Sequence, residues 1–369
     1  MYDPIRENIP FLMIYASVAM LSLNACCYLL FRRGNAIAPD VMPPARLRQW
    51  TAALFAAIAL CHVWYLPTYF LTSSDNIILG NHIAGLLDCM TVIPLMIIIL
   101  FAMLQDHRRL LWPVAVMVAP LVVGNAFCIA TRSDTFLPVF YAYFLLMCIG
   151  LVIYMVRELR LYKRWLHDNY ADLEHKEVWQ SFMVLAIILL VYAIYSCDVG
   201  GLIYEYAMEA IVIVLICYLL WRVETLSDLS ISVGDAEEET NTTEYVEDND
   251  PSQSIFEIIG PKLKRKCEES QLYLQYDITV SELSRRIGVN RFYLSKHFAS
   301  QGITYNAYIN GLRIQHFINL YHEAVTAQQP IRALQLAHQS GFRSYSTFSA
   351  AFKQIMGMTA TEWMRNMDE

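Results

Sequence analysis

Polar and ionisable side chains lie inside the long apolar runs that fill residues 10–221. Such groups are costly in an apolar setting, so their presence there indicates function. Two of them, Glu205 and Glu209, are four residues apart, which places both carboxylates on one face of a helix. Carboxylates held in this way could bind a small cationic ligand. The candidate ligand-pocket residues are His62, Asp88, Asn125, Glu205 and Glu209.

Seven apolar stretches surround these residues, and each is near the roughly 20 residues that cross a bilayer. They are residues 10–31, 50–71, 80–104, 110–130, 136–156, 179–197 and 202–221. The connections on one side carry eleven Lys and Arg residues, whereas the other side has only Arg6 and Arg132. Because positive charge is retained on the cytoplasmic side, we predict a multi-pass protein with its N-terminus outside and its C-terminus in the cytoplasm.

In this orientation the candidate pocket residues fall in the outer half of the bundle, beside aromatic residues such as Trp64 and Tyr65. A pocket for a small ligand arriving from the outer face would have this distribution. Polar and aromatic residues are also common near membrane interfaces without any ligand, so both interpretations stay open. An interfacial position explains Asp88 and Glu209 least well.

The sequence gives no support for catalysis. It lacks the HExxH, GxSxG, GxxxxGK[ST] and CxxC motifs. The stretch "HDNYADLEH", residues 167–175, has metal-ligating residue types, but it lies in a basic cytoplasmic loop, where we expect a solvated helix end. Eight of the nine cysteines are scattered through the apolar half and are expected to act as small hydrophobic side chains. We predict no enzyme activity, no metal and no cofactor.

Charge separates the apolar half from the rest of the chain. Residues 223–250 contain ten acidic residues and no basic ones, whereas residues 251–369 contain thirteen basic and nine acidic ones. A polar, acidic stretch without apolar periodicity is typical of a disordered tether. We therefore predict three parts: a transmembrane sensor domain (1–222), an acidic linker (223–253) and a cytoplasmic domain (254–369).

The cytoplasmic domain contains a helix-turn-helix pattern at residues 278–298, "ITVSELSRRIGVNRFYLSKHF". Ser281 or a neighbour begins a first helix, Gly288 permits the turn, and Asn290 can cap a second helix. On its own this pattern is weak evidence, since many helical hairpins share it.

The same pattern occurs again 53 residues later. Gly341 takes the place of Gly288, and Ser344 takes the place of the capping Asn290. A Gly-x-Thr motif follows each copy, at Thr304 and Thr359, and the amphipathic stretch "YINGLRIQHFINLYHEA" joins the two copies. The repetition favours two related units connected by one long helix.

Two helix-turn-helix units joined by a long helix resemble the DNA-binding domain of the AraC/XylS family of bacterial transcription regulators. The resemblance covers about residues 255–366. It implies two recognition helices that enter successive major grooves of double-stranded DNA. By position, the candidate base-contact residues are Phe292, Ser295, Lys296, Tyr345, Ser346 and Ser349. The candidate phosphate-contact residues are Arg291, Thr304, Arg343, Lys353 and Thr359.

Other residues of this region have structural interpretations. Apolar residues at helical spacing are expected in the core, namely Leu294, Phe298, Leu336, Phe342, Phe348 and Phe352. Arg313, inside the connecting helix, is expected to form a structural ion pair. The chain departs from the family at Ser284, Ala333 and Ala360, and Ala350 replaces an arginine that reads bases in some relatives. The second recognition helix is therefore expected to read DNA more weakly.

The sequence as a whole predicts an all-α protein: a seven-helix transmembrane bundle and a C-terminal domain of two helix-turn-helix units joined by a long helix. The predicted function is transcription regulation from the bacterial cytoplasmic membrane in response to a signal at the membrane or its outer face. The predicted partners are DNA, the lipid bilayer, a small ligand and a second copy of the chain. The alternative is a transporter or channel with a regulatory tail, which a polar path through the inner half would favour.

Overall fold

The computed structural model of the protein describes residues 8–32, 35, 37, 41–133, 135–195, 202–229, 252–330 and 332–368. Within these residues the chain is helical and contains no strand, so the all-α prediction is confirmed. The chain divides into two compact units. Unit 1 comprises Met1–Arg160 and Val178–Ser230, and unit 2 comprises Leu161–Glu177 and Ile231–Glu369.

Unit 1 is built from apolar helices. Many of their large apolar side chains face outward, for example Met13 at 65% exposure, Val123 at 66% and Ile153 at 66%. Helices that are apolar on their outer faces as well as their inner ones are typical of a membrane bundle. The helices are α1 (Ile9–Phe31), α2 (Ala45–Tyr65), α3 (Ser74–Met90), α4 (Val92–Met103), α5 (Trp112–Thr131), α6 (Leu137–Asn169), α7 (Trp179–Tyr195) and α8 (Leu202–Thr225).

Six apolar helical stretches among the described residues are long enough to cross a membrane. One of them, Ser74–Met103, contains both α3 and α4 and is interrupted at Thr91. The sequence has a local reason for the interruption, since in a continuous helix the ring of Pro94 would clash with the carbonyl four residues earlier. The sixth predicted span corresponds to α7, which has only 17 residues. Helix length therefore supports six spans and does not establish the seventh.

The first residues of the predicted acidic linker belong to unit 1. Helix α8 continues to Thr225, and the side chains of Leu226 and Leu229 are buried. The Gln105 side chain binds the carbonyl of Ser227 at 2.9 Å and the amide of Leu229 at 2.8 Å. Residues 223–229, which the sequence assigned to the acidic linker, thus pack within unit 1, and residues 230–251 lie outside the described residues.

Unit 2 contains the predicted pair of helix-turn-helix units. The helices are α9 (Ser252–Leu263), α10 (Val280–Ile287), α11 (Arg291–Ser300), α12 (Tyr305–Thr326), α13 (Ala333–Gln339), α14 (Tyr345–Met356) and α15 (Ala360–Asp368). The first helix-turn-helix consists of α10 and α11, the second consists of α13 and α14, and α12 joins them. The predicted caps Asn290 and Ser344 both accept a backbone N–H bond. The cap of α10 is Thr279, a neighbour of Ser281.

Each helix-turn-helix has its own apolar core. The first core includes Leu283, Leu294 and Phe298, and the second includes Phe342 and Phe348. All six side chains predicted to be core are buried, namely Leu294, Phe298, Leu336, Phe342, Phe348 and Phe352. The helical spacing of apolar residues therefore identified both cores correctly.

Arg313 of α12 is buried, with 1% exposure, and it is structural as predicted. Its hydrogen bonds go mainly to backbone carbonyls and not to the expected carboxylate. Nε donates to the carbonyl of Tyr273 at 2.8 Å, and Nη2 donates to those of Gln275 at 2.7 Å and Tyr276 at 3.1 Å. The guanidinium also lies 5.5 Å from the centre of the Phe342 ring. One side chain thus connects the 273–276 turn to the second core.

Gly341 is the turn glycine of the second helix-turn-helix. Its φ is +86°, and an added Cβ would lie 2.7 Å from Cα of Leu274. We expect Gly341→Ala to destabilise unit 2 by about 2–3 kcal/mol, because it adds left-handed strain to a backbone clash. Amide hydrogen exchange of the full-length protein in lipid nanodiscs measures this loss as reduced protection of α12 and α14.

The matched control is Gly311→Ala. Gly311 lies within α12, and an added Cβ there meets nothing within 4 Å. Alanine should therefore preserve or raise protection at that position. Equal protection in both variants would show that the turn does not require glycine.

Candidate nucleic-acid interface and ligand cavity

Helix α11 presents the first set of predicted base-contact residues. Leu294 and Phe298 turn into the core, whereas Phe292 is 66% exposed and Lys296 is exposed. Ser295 is partly exposed. Residues 292, 295 and 296 share one side of the helix because they are three and four residues apart. This side offers an aromatic ring, a hydroxyl and an ammonium group.

Helix α14 repeats the arrangement. Phe348 and Phe352 are buried, while Tyr345 and Ser346 are exposed and Ser349 is partly exposed. The side available to a partner carries a phenol and two hydroxyls, with no charge among the predicted base-contact residues. This side of α14 can therefore form fewer charge-assisted hydrogen bonds with DNA than the side of α11 that contains Lys296.

The three predicted cationic phosphate contacts differ in their surroundings. Arg343 and Lys353 are exposed, and Nη1 of Arg343 lies 3.5 Å from a carboxylate oxygen of Asp277. Arg291 is the first residue of α11, and its guanidinium donates a hydrogen bond to the side-chain oxygen of Asn169. Two of the three cations are therefore at the surface, and the third already binds another part of the chain.

Thr304 and Thr359 both begin helices, as predicted. Thr304 accepts a bond from the amide of Ala307 at 3.2 Å. Thr359 donates from both its amide and its hydroxyl to the Glu362 carboxylate, at 2.9 Å each. These bonds lower the pKa of Glu362 and hold a negative charge at the start of α15. Thr304 thus suits a phosphate contact better than Thr359 does.

The loop predicted to be a solvated helix end is instead packed within unit 2. We call residues 161–177 the docking segment. Tyr170 and Ala171 are 5% and 1% exposed, and Ala171 belongs to the first helix-turn-helix core. The expectation of a solvated helix end is therefore wrong. No metal-binding group of three His, Cys, Asp or Glu residues occurs among the described residues, in this segment or elsewhere.

Unit 1 contains a cavity of about 250 Å³. Four of the five predicted pocket residues line it: His62, Asp88, Glu205 and Glu209. The lining also includes Tyr15, Tyr65 and Tyr69, and the remaining wall is mostly aliphatic side chains and Met from α4, α6, α7 and α8. An apolar lining with a few polar groups is typical of a small-molecule site, and a volume of about 250 Å³ limits the cavity to a small ligand.

His62 and Glu209 form a buried pair in the cavity wall. Nδ1 of His62 lies 2.7 Å from the carbonyl of Ile58, and Nε2 lies 3.2 Å from the Glu209 carboxylate. Because a carbonyl only accepts, Nδ1 carries a hydrogen. The contact between Nε2 and the Glu209 carboxylate joins α2 to α8 in the wall of the cavity.

Asp88 is held by two aromatic side chains. Trp64 donates to one carboxylate oxygen at 3.2 Å, and Tyr65 donates to the other at 3.0 Å. These bonds fix the orientation of a carboxylate that is only 6% exposed. Asp88 is thus held in one orientation in the wall of the cavity.

The structure does not bring Asn125 into the cavity. Its amide donates to the carbonyl of Leu121 at 3.0 Å and approaches the sulfur of Cys89. Conversely, sequence reasoning missed Tyr15 and Tyr69. The Tyr15 hydroxyl donates to the carbonyl of His62 at 2.8 Å. Tyr15 lies inside an apolar run, and only its position near the predicted outer end of the first span gave a signal.

Comparison with known proteins identifies the C-terminal part. Residues 283–366 match the family described as "Helix-turn-helix domain". An HTH-type transcriptional regulator of Staphylococcus aureus is 30% identical over 116 residues, which cover 30% of this chain and 14% of that protein. The TCP pilus virulence regulatory protein of Vibrio cholerae is 33% identical over 84 residues, covering 23% of this chain and 29% of that protein. No solved structure matches.

The C-terminal part of the chain is therefore a helix-turn-helix domain of the AraC type, as its residues indicated. The match covers only a small share of each relative's length. Unit 1 lies outside the matched family segment.

Proposed function

We propose that this chain is a membrane-embedded, sequence-specific DNA-binding regulator that couples a signal at the outer face of a bacterial cytoplasmic membrane to gene expression. One observation carries the proposal: an AraC-type helix-turn-helix domain with exposed recognition side chains belongs to the same chain as six helices long enough to span a bilayer. The excess of basic residues on one side of the predicted spans supports a C-terminus in the cytoplasm, where the chromosome is accessible.

In this proposal α11 and α14 enter successive major grooves. Lys296 binds guanine, and the rings of Phe292 and Tyr345 pack on thymine methyl groups. Arg343 and Lys353 contact phosphates and set the position of the domain without reading sequence. Residues 251–369 carry a net charge of only +4, from thirteen basic and nine acidic residues. A single domain should therefore bind DNA weakly. A homodimer held in one membrane should bind more tightly, because its second DNA-binding domain contacts the same DNA.

Selection from a random DNA pool tests the proposal. The full-length protein in nanodiscs should enrich one sequence with two contact blocks about 10 base pairs apart. Enrichment should weaken as salt rises, because phosphate contacts release counterions. If folded protein enriches no sequence at low salt, the regulator proposal is contradicted.

The cavity of unit 1 is the proposed signal site. Some predicted spans supply both polar and apolar residues to the cavity lining. In these spans the polar residues lie nearer the predicted outer end of the span than the apolar ones. Asp88 precedes Met96 on the inward-running third span, and Glu205 precedes Leu215 on the seventh. A ligand with a cationic head and a short apolar body matches this division. The same division favours sensing over transport, because a transport path needs polar groups at every depth.

Removing one cavity carboxylate should weaken ligand binding. We expect Glu209→Gln, which retains size but not charge, to raise the dissociation constant of a short primary alkylamine about 10- to 100-fold. The shift in melting temperature of the nanodisc-held protein across an alkylamine series gives this constant. Asp75→Asn, an exposed carboxylate outside the cavity, is the matched control. If alkylamines stabilise both variants equally, the cavity is not their site.

A further inference from the structure

The docking segment is an integral part of unit 2, although it is distant in sequence from the helix-turn-helix pair. It comprises the last nine residues of α6 and the eight that follow. Tyr170 forms an isolated β-bridge with Thr279, the cap of α10. Ala171 contributes to the first helix-turn-helix core. Burial and backbone pairing together define one bound position for the segment.

Two asparagines of the connecting helix α12 hold the segment in this position. The side-chain amide of Asn306 donates to the carbonyls of Tyr170 at 3.1 Å and Ala171 at 2.8 Å. Asn310, one turn later, donates to the carbonyl of Ala171 at 3.2 Å. Both asparagines are buried, at 6% and 5% exposure. Buried amides that lose their partners are costly, so the asparagines favour a docked segment.

The segment also touches the first turns of both recognition helices. Asn169 accepts a hydrogen bond from Arg291, the first residue of α11. The Glu174 carboxylate accepts one from the hydroxyl of Thr347, in the first turn of α14, at 3.2 Å. The N-terminal turn of a recognition helix is the part that approaches DNA in helix-turn-helix complexes. The segment thus accepts one hydrogen bond from each recognition helix.

The charge of the segment matters at this position. Residues 161–177 contain four carboxylates and three cations (Lys163, Arg164 and Lys176), so the net charge of the segment is small and its effect on DNA is local, at Glu174. Glu174 places a negative charge beside α14, where an incoming phosphate backbone would also be negative. Like charges repel. The single hydroxyl hydrogen that Thr347 donates to Glu174 cannot be donated to a phosphate at the same time.

We propose that residues 161–177 are an intramolecular competitor of DNA, docked on a surface of unit 2 that spans both recognition helices. This inference rests on the proposed DNA-binding function. While the segment is docked, only a fraction of molecules can bind DNA, and the apparent affinity falls by that fraction. The segment continues helix α6, whose earlier residues Phe144, Met147 and Leu151 line the cavity of unit 1. This covalent continuity gives a route by which ligand binding can release the segment.

Two kinds of variant test whether the segment competes with DNA: one releases the segment, and the other holds it docked. In nanodisc-held full-length protein, Glu174→Ala should lower the dissociation constant for the selected DNA about tenfold, because it removes both the repulsion and the bond to Thr347. The matched control is Asp168→Asn, which removes a carboxylate that interacts with Arg164 and His167 of the segment itself. The control should bind DNA within about twofold of the wild type.

A double variant, Glu174→Cys with Thr347→Cys, is designed to hold the segment docked. A reducible bifunctional thiol crosslinker, which spans the length of the Glu174 side chain, should lock the segment and raise the dissociation constant at least about tenfold, and cleavage of the crosslinker should reverse this change. If protein shown by mass spectrometry to be crosslinked binds DNA as the cleaved protein does, and Glu174→Ala matches the wild type, the competition proposal is overturned. If none of the variants binds DNA, although hydrogen exchange shows the segment released in Glu174→Ala, the DNA-binding function itself fails.

Discussion

Replacing Lys296 and Tyr345 together with alanine is expected to weaken binding of the selected DNA by about 10²- to 10⁴-fold. Each residue lies on a different recognition helix and is exposed. A good base contact contributes about 1–3 kcal/mol of discrimination, and contributions from separate helices add. Because non-specific affinity comes from phosphate contacts, the double variant should keep most of its binding to random DNA. Fluorescence anisotropy with selected and random duplexes measures both constants.

The matched control for this variant is Tyr276→Ala with Arg365→Ala. These residues are an exposed tyrosine and an exposed cation of the same unit, outside α11 and α14. The control should change specific and random binding by the same small factor. If it loses specificity as strongly as Lys296→Ala with Tyr345→Ala, the assigned reading faces are wrong.

Replacing Arg313 with methionine is expected to destabilise unit 2 by about 3–5 kcal/mol. Methionine retains much of the apolar contact but leaves the carbonyls of Tyr273, Gln275 and Tyr276 without their donor. Each buried group that loses its partner costs about 1–3 kcal/mol. Hydrogen exchange of the nanodisc-held protein should show protection lost in the 273–276 turn and in α12.

Arg286→Met is the matched control for Arg313→Met. Arg286 is about half exposed and pairs with Glu282 at 2.8 Å within α10. Surface ion pairs of this kind contribute about 0–1 kcal/mol. Comparable destabilisation in the two variants would mean that the carbonyl contacts of Arg313 do not hold the turn.

Local chemistry made much of unit 2 predictable. Asn290 and Ser344 precede helices and accept their first amides, while Gly288 and Gly341 take positive φ where the turns need it. These features depend on residues within a few positions of one another, so the sequence contains them directly. The same holds for the apolar spans, whose length and composition are local properties.

Features that depend on distant contacts were not predictable in this way. The docking segment is polar and appears solvated in sequence, because its binding partners Asn306 and Asn310 lie about 135 residues away. Arg313 was assigned a carboxylate partner because sequence does not reveal which backbone carbonyls a fold leaves unpaired. Asn125 was grouped with the pocket residues because of its predicted depth, but its side chain does not line the cavity.

The most direct measurement of the central claim is a genome-wide map of DNA crosslinked to the full-length protein isolated in the membrane fraction of living cells. The variant Lys296→Ala with Tyr345→Ala and its matched control are mapped in parallel. We predict discrete sites that contain the selected sequence, that persist in the control and that vanish in the recognition-helix variant. A map without discrete sites, obtained with intact protein in the membrane and with the Glu174→Ala variant included, would contradict regulation of transcription from the membrane.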